Sequence, residues 1–167
     1  MTEILVPCVN SLVILDSDGA RVIAKYYDGK KQTDQEKFEK DLHKKSKAAA
    51  IQGARDSEVL IVDHELIAFR VGIDCRIFIS GSVDENDLIL VGVLDCLFDS
   101  IQALVKNMDA GTLLDCMELV LLAIDEIVSL MLYYHQNFFT FPFLPFSSLF
   151  FPFLPFSSLF FPFSYLF

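Results

Sequence analysis

The last Asp, Glu, Lys or Arg of this chain is Glu126, and from Ser129 to Phe167 there is no glycine either. A domain folded in water keeps such charged residues on its outside. One compact unit therefore does not continue through this boundary. In the later part, FPFLPFSSLF occupies Phe141–Phe150 and recurs unchanged at Phe151–Phe160. Pro142, Pro145, Pro152, Pro155 and Pro162 interrupt any membrane-spanning helix, where each interior proline costs about 3 kcal/mol. The PFLP spacing is that of a proline-rich ligand, but such ligands are seldom so rich in Phe. From Phe141 to Ser164 the only residues are Phe, Pro, Leu and Ser, all of which have all-pyrimidine codons. A translated pyrimidine tract, as in a retained intron, is the expected source. The expectation is a domain over residues 1–128 and an aberrant low-complexity tail, irregular or disordered, over residues 129–167.

The whole net charge of −10 belongs to the front part. Such an acidic surface argues against nucleic acid as the main partner. The start, MTEILVPCVN, has no basic segment before an apolar core and does not read as a secretory signal. Cys8, Cys75, Cys96 and Cys116 form no C-x-x-C pair and sit among apolar residues. They are expected to be buried, reduced thiols.

Ser11–Tyr27 reads SLVILDSDGARVIAKYY, two β-rich runs around Asp16-Ser-Asp-Gly19. Asp-Gly favours a tight turn with positive φ, so this predicts a β-hairpin. Thr33 followed by Glu36 has capping-box spacing and predicts a helix starting at Thr33. Its apolar residues are Phe38, Leu42 and Ala48–Ala50; the rest is mostly Lys, a solvated face or a contact for an acidic membrane or partner. EVLIVDHE, LIAFRVG and DCRIFISGS then predict three short antiparallel strands. Two helices follow, one within Asp84–Asn107 and one from Thr112, where Thr112-Leu-Leu-Asp115 is a variant capping pattern, to Val128. Their polar residues form narrow stripes: Asp95, Asp99, Gln102 and Lys106 on the first, Asp115, Glu118 and Asp125 on the second. A helix covered on one side is polar over about half its circumference. These two therefore bury more than one face, against each other and against a permanent partner. Phe98, Ile101, Leu121, Ile124 and Val128 are the candidate partner contacts. The order β-β-α-β-β-β-α-α defines an α+β domain on a five-stranded antiparallel sheet.

No pattern for catalysis, cofactor or metal emerges. The phosphate-loop, dinucleotide, nucleophile-elbow and zinc-protease motifs are all missing. DSDG lacks the later ligands of a calcium loop. In Asp63-His64-Glu65, strand alternation sends His64 to the face opposite its neighbours, leaving an edge or turn histidine rather than a metal ligand. Asp125 and Glu126 are helix neighbours about 100° apart, a solvated pair rather than an acid–base couple. The expectation is a non-enzyme with no cofactor and no small-molecule substrate.

Four stretches carry a family resemblance: ILDSDGARVIAKYYD at Ile14–Asp28, EKFEKDLHKKS at Glu36–Ser46, VLDCLFDSIQALVKN at Val93–Asn107 and LLDCMELVLLAIDEIV at Leu113–Val128. Together they resemble the zeta subunits of coatomer, the COPI vesicle coat, from about Ile4 to Val128. The sigma subunits of clathrin adaptors look similar in element order but differ in these motifs. The resemblance implies a longin-like domain with helices on both sides of its sheet. It also implies a non-catalytic role, stable pairing with the trunk of the large gamma subunit, and recruitment to Golgi membranes through Arf GTPase. Transport from Golgi to endoplasmic reticulum and between cisternae would follow, on the cytoplasmic side. Family members continue past the position of Val128 with a glycine-containing, then charged, segment that this chain replaces. A longin-type regulatory domain held at a membrane by the tail is the contrasting reading.

Overall fold

The computed structural model describes residues 9–49, 57–84, 86–105 and 107–137, with side chains to Ser129. The Met1–Cys8 start and the repeats of the tail lie outside the described residues, as do Ala50 and Lys106. Strands β1 (Ser11–Asp16) and β2 (Arg21–Tyr26) precede helix α1 (Gln32–Ala49). Strands β3 (Glu58–Val62), β4 (Glu65–Val71) and β5 (Cys75–Ser82) follow, then helices α2 (Asp87–Leu104), α3 (Ala110–Asp115) and α4 (Met117–Asn137). The predicted α+β, longin-like architecture is what the structure shows, with one additional short helix.

The five strands are all antiparallel, in the order β2-β1-β5-β4-β3. The first hairpin closes as expected. Asp16 Oδ1 accepts from the N–H groups of Asp18 and Ala20, and Gly19 takes φ of 88°. A Cβ at Gly19 would also stand 2.7 Å from the His43 ring, so the position needs glycine twice over. The β3–β4 turn is formed by Asp63 and His64, both at positive φ. Two such residues between paired strands match a two-residue hairpin turn. His64 thus sits in a turn, one of the two places expected for it.

Both faces of the sheet are covered. In β1, Leu12 and Ile14 join the core shared with α2 and α4, while Val13 and Leu15 join the core under α1. All four are fully buried. Period-two alternation sends successive side chains to opposite faces, so a strand covered twice reads as one apolar run. Under α1, Phe38 and Leu42 pack on Phe69 and Phe78, whose rings lie 5.7 Å apart. Burial of large side chains at about 1.5–3 kcal/mol each dominates the cohesion of both layers.

Two helix starts differ from expectation. α1 begins at Gln32, with Asp34 and Gln35 donating to the Lys31 carbonyl, so Thr33 lies inside the helix. Lys30, just before the helix, pairs with Asp28 and Glu65 and stands 4.4 Å from the Phe38 ring centroid. The second capping residue is Asp109 rather than Thr112. Asp109 accepts from the Thr112 N–H and from its hydroxyl, both at 2.8 Å. Those bonds hold its carboxyl below the usual range. The chain then turns at Cys116 between α3 and α4, so the single predicted helix is two. α4 continues past Val128 to Asn137.

Candidate partner interface

Asn86 caps α2, its side chain accepting from the Leu88 N–H. The helix buries Leu90, Val93, Leu94, Leu97, Phe98 and Ile101. Its acidic stripe is tied to the sheet. Arg70 on β4 reaches Asp95 at 3.2 Å and Asp99 at 3.6 Å, and its guanidinium stands 4.1 Å from the Phe98 ring centroid. Asp95 also accepts from the Ser57 hydroxyl. Two carboxylates, one cation and one ring thus clamp α2 against β4.

The structure places four of the five candidate contacts inside the chain's own core. Phe98, Ile101, Ile124 and Val128 are buried, and Leu121 is partly buried against the same cluster. The uncovered apolar side chains are others. Leu114, Met117, Leu119 and Leu122 are 42–58% exposed around the α3–α4 junction and along α4, and Leu88 at the start of α2 is 75% exposed. On α4, Glu118, Leu119, Leu122 and Asp125 are all exposed, at spacings that define one outward stripe. Leucines therefore share the face that the acids mark. Asp125 is bonded to Lys25 of β2, which pins this face to the sheet edge.

The acidic spacing held the missed signal. Glu118 and Asp125 show which side of α4 points out, and Leu119 and Leu122 fall on it. Choosing the most apolar positions instead selects what the chain buries for itself.

Polar groups elsewhere serve the fold. Tyr26 donates to Glu39 at 2.8 Å, and Arg21 pairs with Glu39 at 2.7 Å. Burial first, then Glu39, pushes the Tyr26 hydroxyl far above its ordinary value. Burial likewise raises the Cys75 thiol to about 12. Cys75 is buried and Cys116 half-buried, but Cys96 is exposed, contrary to expectation, because its α2 position faces outward; all three are free thiols. Cys8 lies outside the described residues. The depression lined by Ser17, Ile73 and Arg76 holds about 60 Å³, well below the roughly 300 Å³ at which small-molecule pockets begin. Among the described residues, no three potential ligands gather around a metal position and no helix is long and apolar enough to cross a membrane.

A three-layer antiparallel domain with this order of elements is the architecture of an adaptor small chain. The family model for the clathrin adaptor complex small chain matches residues 8–131, and the chain belongs to that family. Its relatives within it are coatomer zeta subunits. It is 40% identical over 123 residues to human coatomer subunit zeta-1, covering 72% of this chain and 66% of that protein. It is 35% identical over 127 residues to coatomer subunit zeta-1 of Arabidopsis thaliana, covering 74% and 71%. The chain thus spans just under two thirds of the human relative. A chain of the full-length AP-3 complex, a homology model in a stretched open conformation, superposes with a TM-score of 0.60 at 8% identity. It covers 78% of this chain and 92% of its own length, and it bears on the fold alone.

Proposed function

We propose that this chain is a non-catalytic structural subunit of the COPI coat that pairs with the trunk of the large gamma subunit. The observation that carries the reading is the α3–α4 face, in a chain whose relatives are coatomer zeta subunits. Half-exposed leucines between carboxylates are a costly surface for a lone domain and suit a permanent partner with apolar sockets and a basic rim. The coat domain is assigned to residues 1–128, with α4 carrying the chain on to Asn137, and the repeats that follow are assigned no part in the coat. The assembled coat would act on the cytoplasmic side of Golgi membranes after recruitment by Arf GTPase, in retrograde and intra-Golgi transport.

Co-expression with a coatomer gamma trunk tests this. The chain should co-purify with the trunk, and Leu119→Ser with Leu122→Ser should weaken the complex by roughly thirtyfold or more. Each leucine forfeits about 1 kcal/mol or more of remaining burial. Pairing with a clathrin-adaptor large chain and not with the gamma trunk would move the chain to the sigma-like role.

A further inference from the structure

The acids on the α2–α4 side of the sheet differ in what they already hold. Asp95 and Asp99 pair with Arg70, and Asp125 pairs with Lys25. Asp115 and Glu118 are exposed at the α3–α4 junction. Among the described residues, no cation stands within 4 Å of either. From Glu118 to Asp125 is about two helical turns, or about 10 Å at 1.5 Å per residue. The stripe that carries Leu119 and Leu122 therefore runs from an uncompensated charge to a neutralised one.

The neutralised end continues onto β2. Ile23 joins the core shared with α2 and α4, while Ala24 and Tyr26 pack on the core under α1. Period-two alternation puts Lys25 and Tyr27 on the α4 side with Ile23. The Tyr27 N–H donates to the Asn10 carbonyl at 2.8 Å, so strand pairing reaches this far. Tyr26 commits its hydroxyl to Glu39. Tyr27 is 36% exposed, and among the described residues its hydroxyl has no hydrogen-bond partner. Burial first, then Asp125, raises that hydroxyl to about 12, so at neutral pH it meets a partner as a donor. A ring beside half-exposed leucines, with an unpaired polar tip, has the composition of a contact anchor.

We propose that Tyr27 anchors the partner of the α4 face and that this face is polarised. At one end a cation of the partner meets Asp115 and Glu118; two turns away a neutral acceptor meets the Tyr27 hydroxyl. This assignment rests on the coat reading, with the coatomer gamma trunk as the occupant, and adds the chemistry that the trunk presents at each end. Asp125 lies beside Tyr27, and Lys25 is already paired with it. A second carboxylate is repelled there, whereas a backbone carbonyl or a side-chain amide is not. At the other end, two uncompensated carboxylates favour a Lys or Arg of the partner. A second copy of the chain fits this face poorly. An isologous pair sets the patch against itself. Among the described residues the patch offers two free carboxylates and no unpaired cation to receive them.

The test is competition of full-length variants with the parent chain for a limiting coatomer gamma trunk, at 50 mM and 500 mM salt. Tyr27→Phe keeps the ring and removes the donor. It should be captured roughly three- to tenfold less than the parent at both salts, because an acceptor on the trunk is left unpaired. Asp115→Asn with Glu118→Gln should be captured roughly tenfold less at 50 mM and about equally with the parent at 500 mM, where salt screens the charges. Lys40→Gln, exposed on α1 across the sheet, should match the parent throughout. Melting at pH 7 should not fall in any of these variants, which separates contact from folding. Parent-like capture of Tyr27→Phe or of the double acid variant, while Leu119→Ser with Leu122→Ser is excluded, would leave the coat reading standing and overturn the polarised face. A parent chain that does not bind the trunk would remove both. A chain that dimerises through Tyr27 and Glu118 and leaves the trunk free would assign the face to a second copy and overturn the proposal as well.

Discussion

Replacing Arg70 by Met removes a charge while keeping most of the aliphatic stem that packs in its place. Arg70 has 24% of its side chain exposed, and Asp95 and Asp99 have 45% each. The guanidinium–Phe98 contact, partly shielded from water, is worth about 1 kcal/mol. The two ion pairs are half solvated, so screening leaves about 0.5 kcal/mol in each. Without the cation, Asp95 and Asp99 become an uncompensated like pair at i, i+4, a further loss of a few tenths. The expected total is about 2 kcal/mol, or roughly 6–10 °C in Tm for a domain of this size. Thermal unfolding at 20 mM and 1 M salt separates the contributions. At 1 M the Debye length shrinks to about 3 Å and the ionic half should vanish, leaving a loss near 1 kcal/mol. The same residual loss is expected when Arg70→Met is made on an Asp95→Asn, Asp99→Asn background. A loss identical at both salts and on both backgrounds would show that Arg70 only fills space. No loss anywhere would show that α2 does not depend on the clamp.

Gly72→Ala should destabilise by about 1–3 kcal/mol, because the added methyl would stand 2.9 Å from the Met108 carbonyl, which is backbone and cannot step aside; urea unfolding gives the value. Burial first, then Asp125, raises the Tyr27 hydroxyl to about 12. Tyr26 is raised further, so both stay protonated in the fold after they would ionise in the unfolded chain. Their contribution is complete below pH 10 and declines as pH rises from 10 through 12. Denaturation profiles should therefore be flatter across that window for Tyr27→Phe. Ile124→Ala should cost about 2–5 kcal/mol of stability as a core truncation, whereas Leu122→Ala should stay within about 0.5 kcal/mol. The reverse ranking in chemical denaturation would mean that α4 is rotated relative to its described seat.

The parts of the fold legible in the sequence are those fixed by neighbours. Asp16–Gly19 announces its turn because Asp caps the loop and Gly accepts positive φ. Cys75, Ile77 and Ile79 alternate with Phe78 because each side of β5 meets a different core. What failed depends on remote partners. Thr33 has good local capping chemistry, yet the Lys31 carbonyl accepts the first helical N–H groups and α1 starts at Gln32, while neighbouring Lys30 pairs with Glu65 far along the chain. Thr112 resembles a cap but donates its hydroxyl to Asp109. Phe98 reads as a contact for another molecule because nothing nearby in sequence reveals Arg70 lying over it.

The place of β1 has a consequence for how the chain is made. Ser11 pairs with Ser80 and Asp16 with Cys75, so the second neighbour of β1 is synthesised long after it. The β3–β4–β5 meander closes through short turns and can form as soon as it emerges, but β1 offers an unpaired edge until then. At about 5–20 residues per second, that edge waits for several seconds on the ribosome. Its sequence, SLVILD, is an apolar run that such a wait leaves open to the wrong strand. The first hairpin is therefore the segment whose open edge waits longest during translation for its native partner.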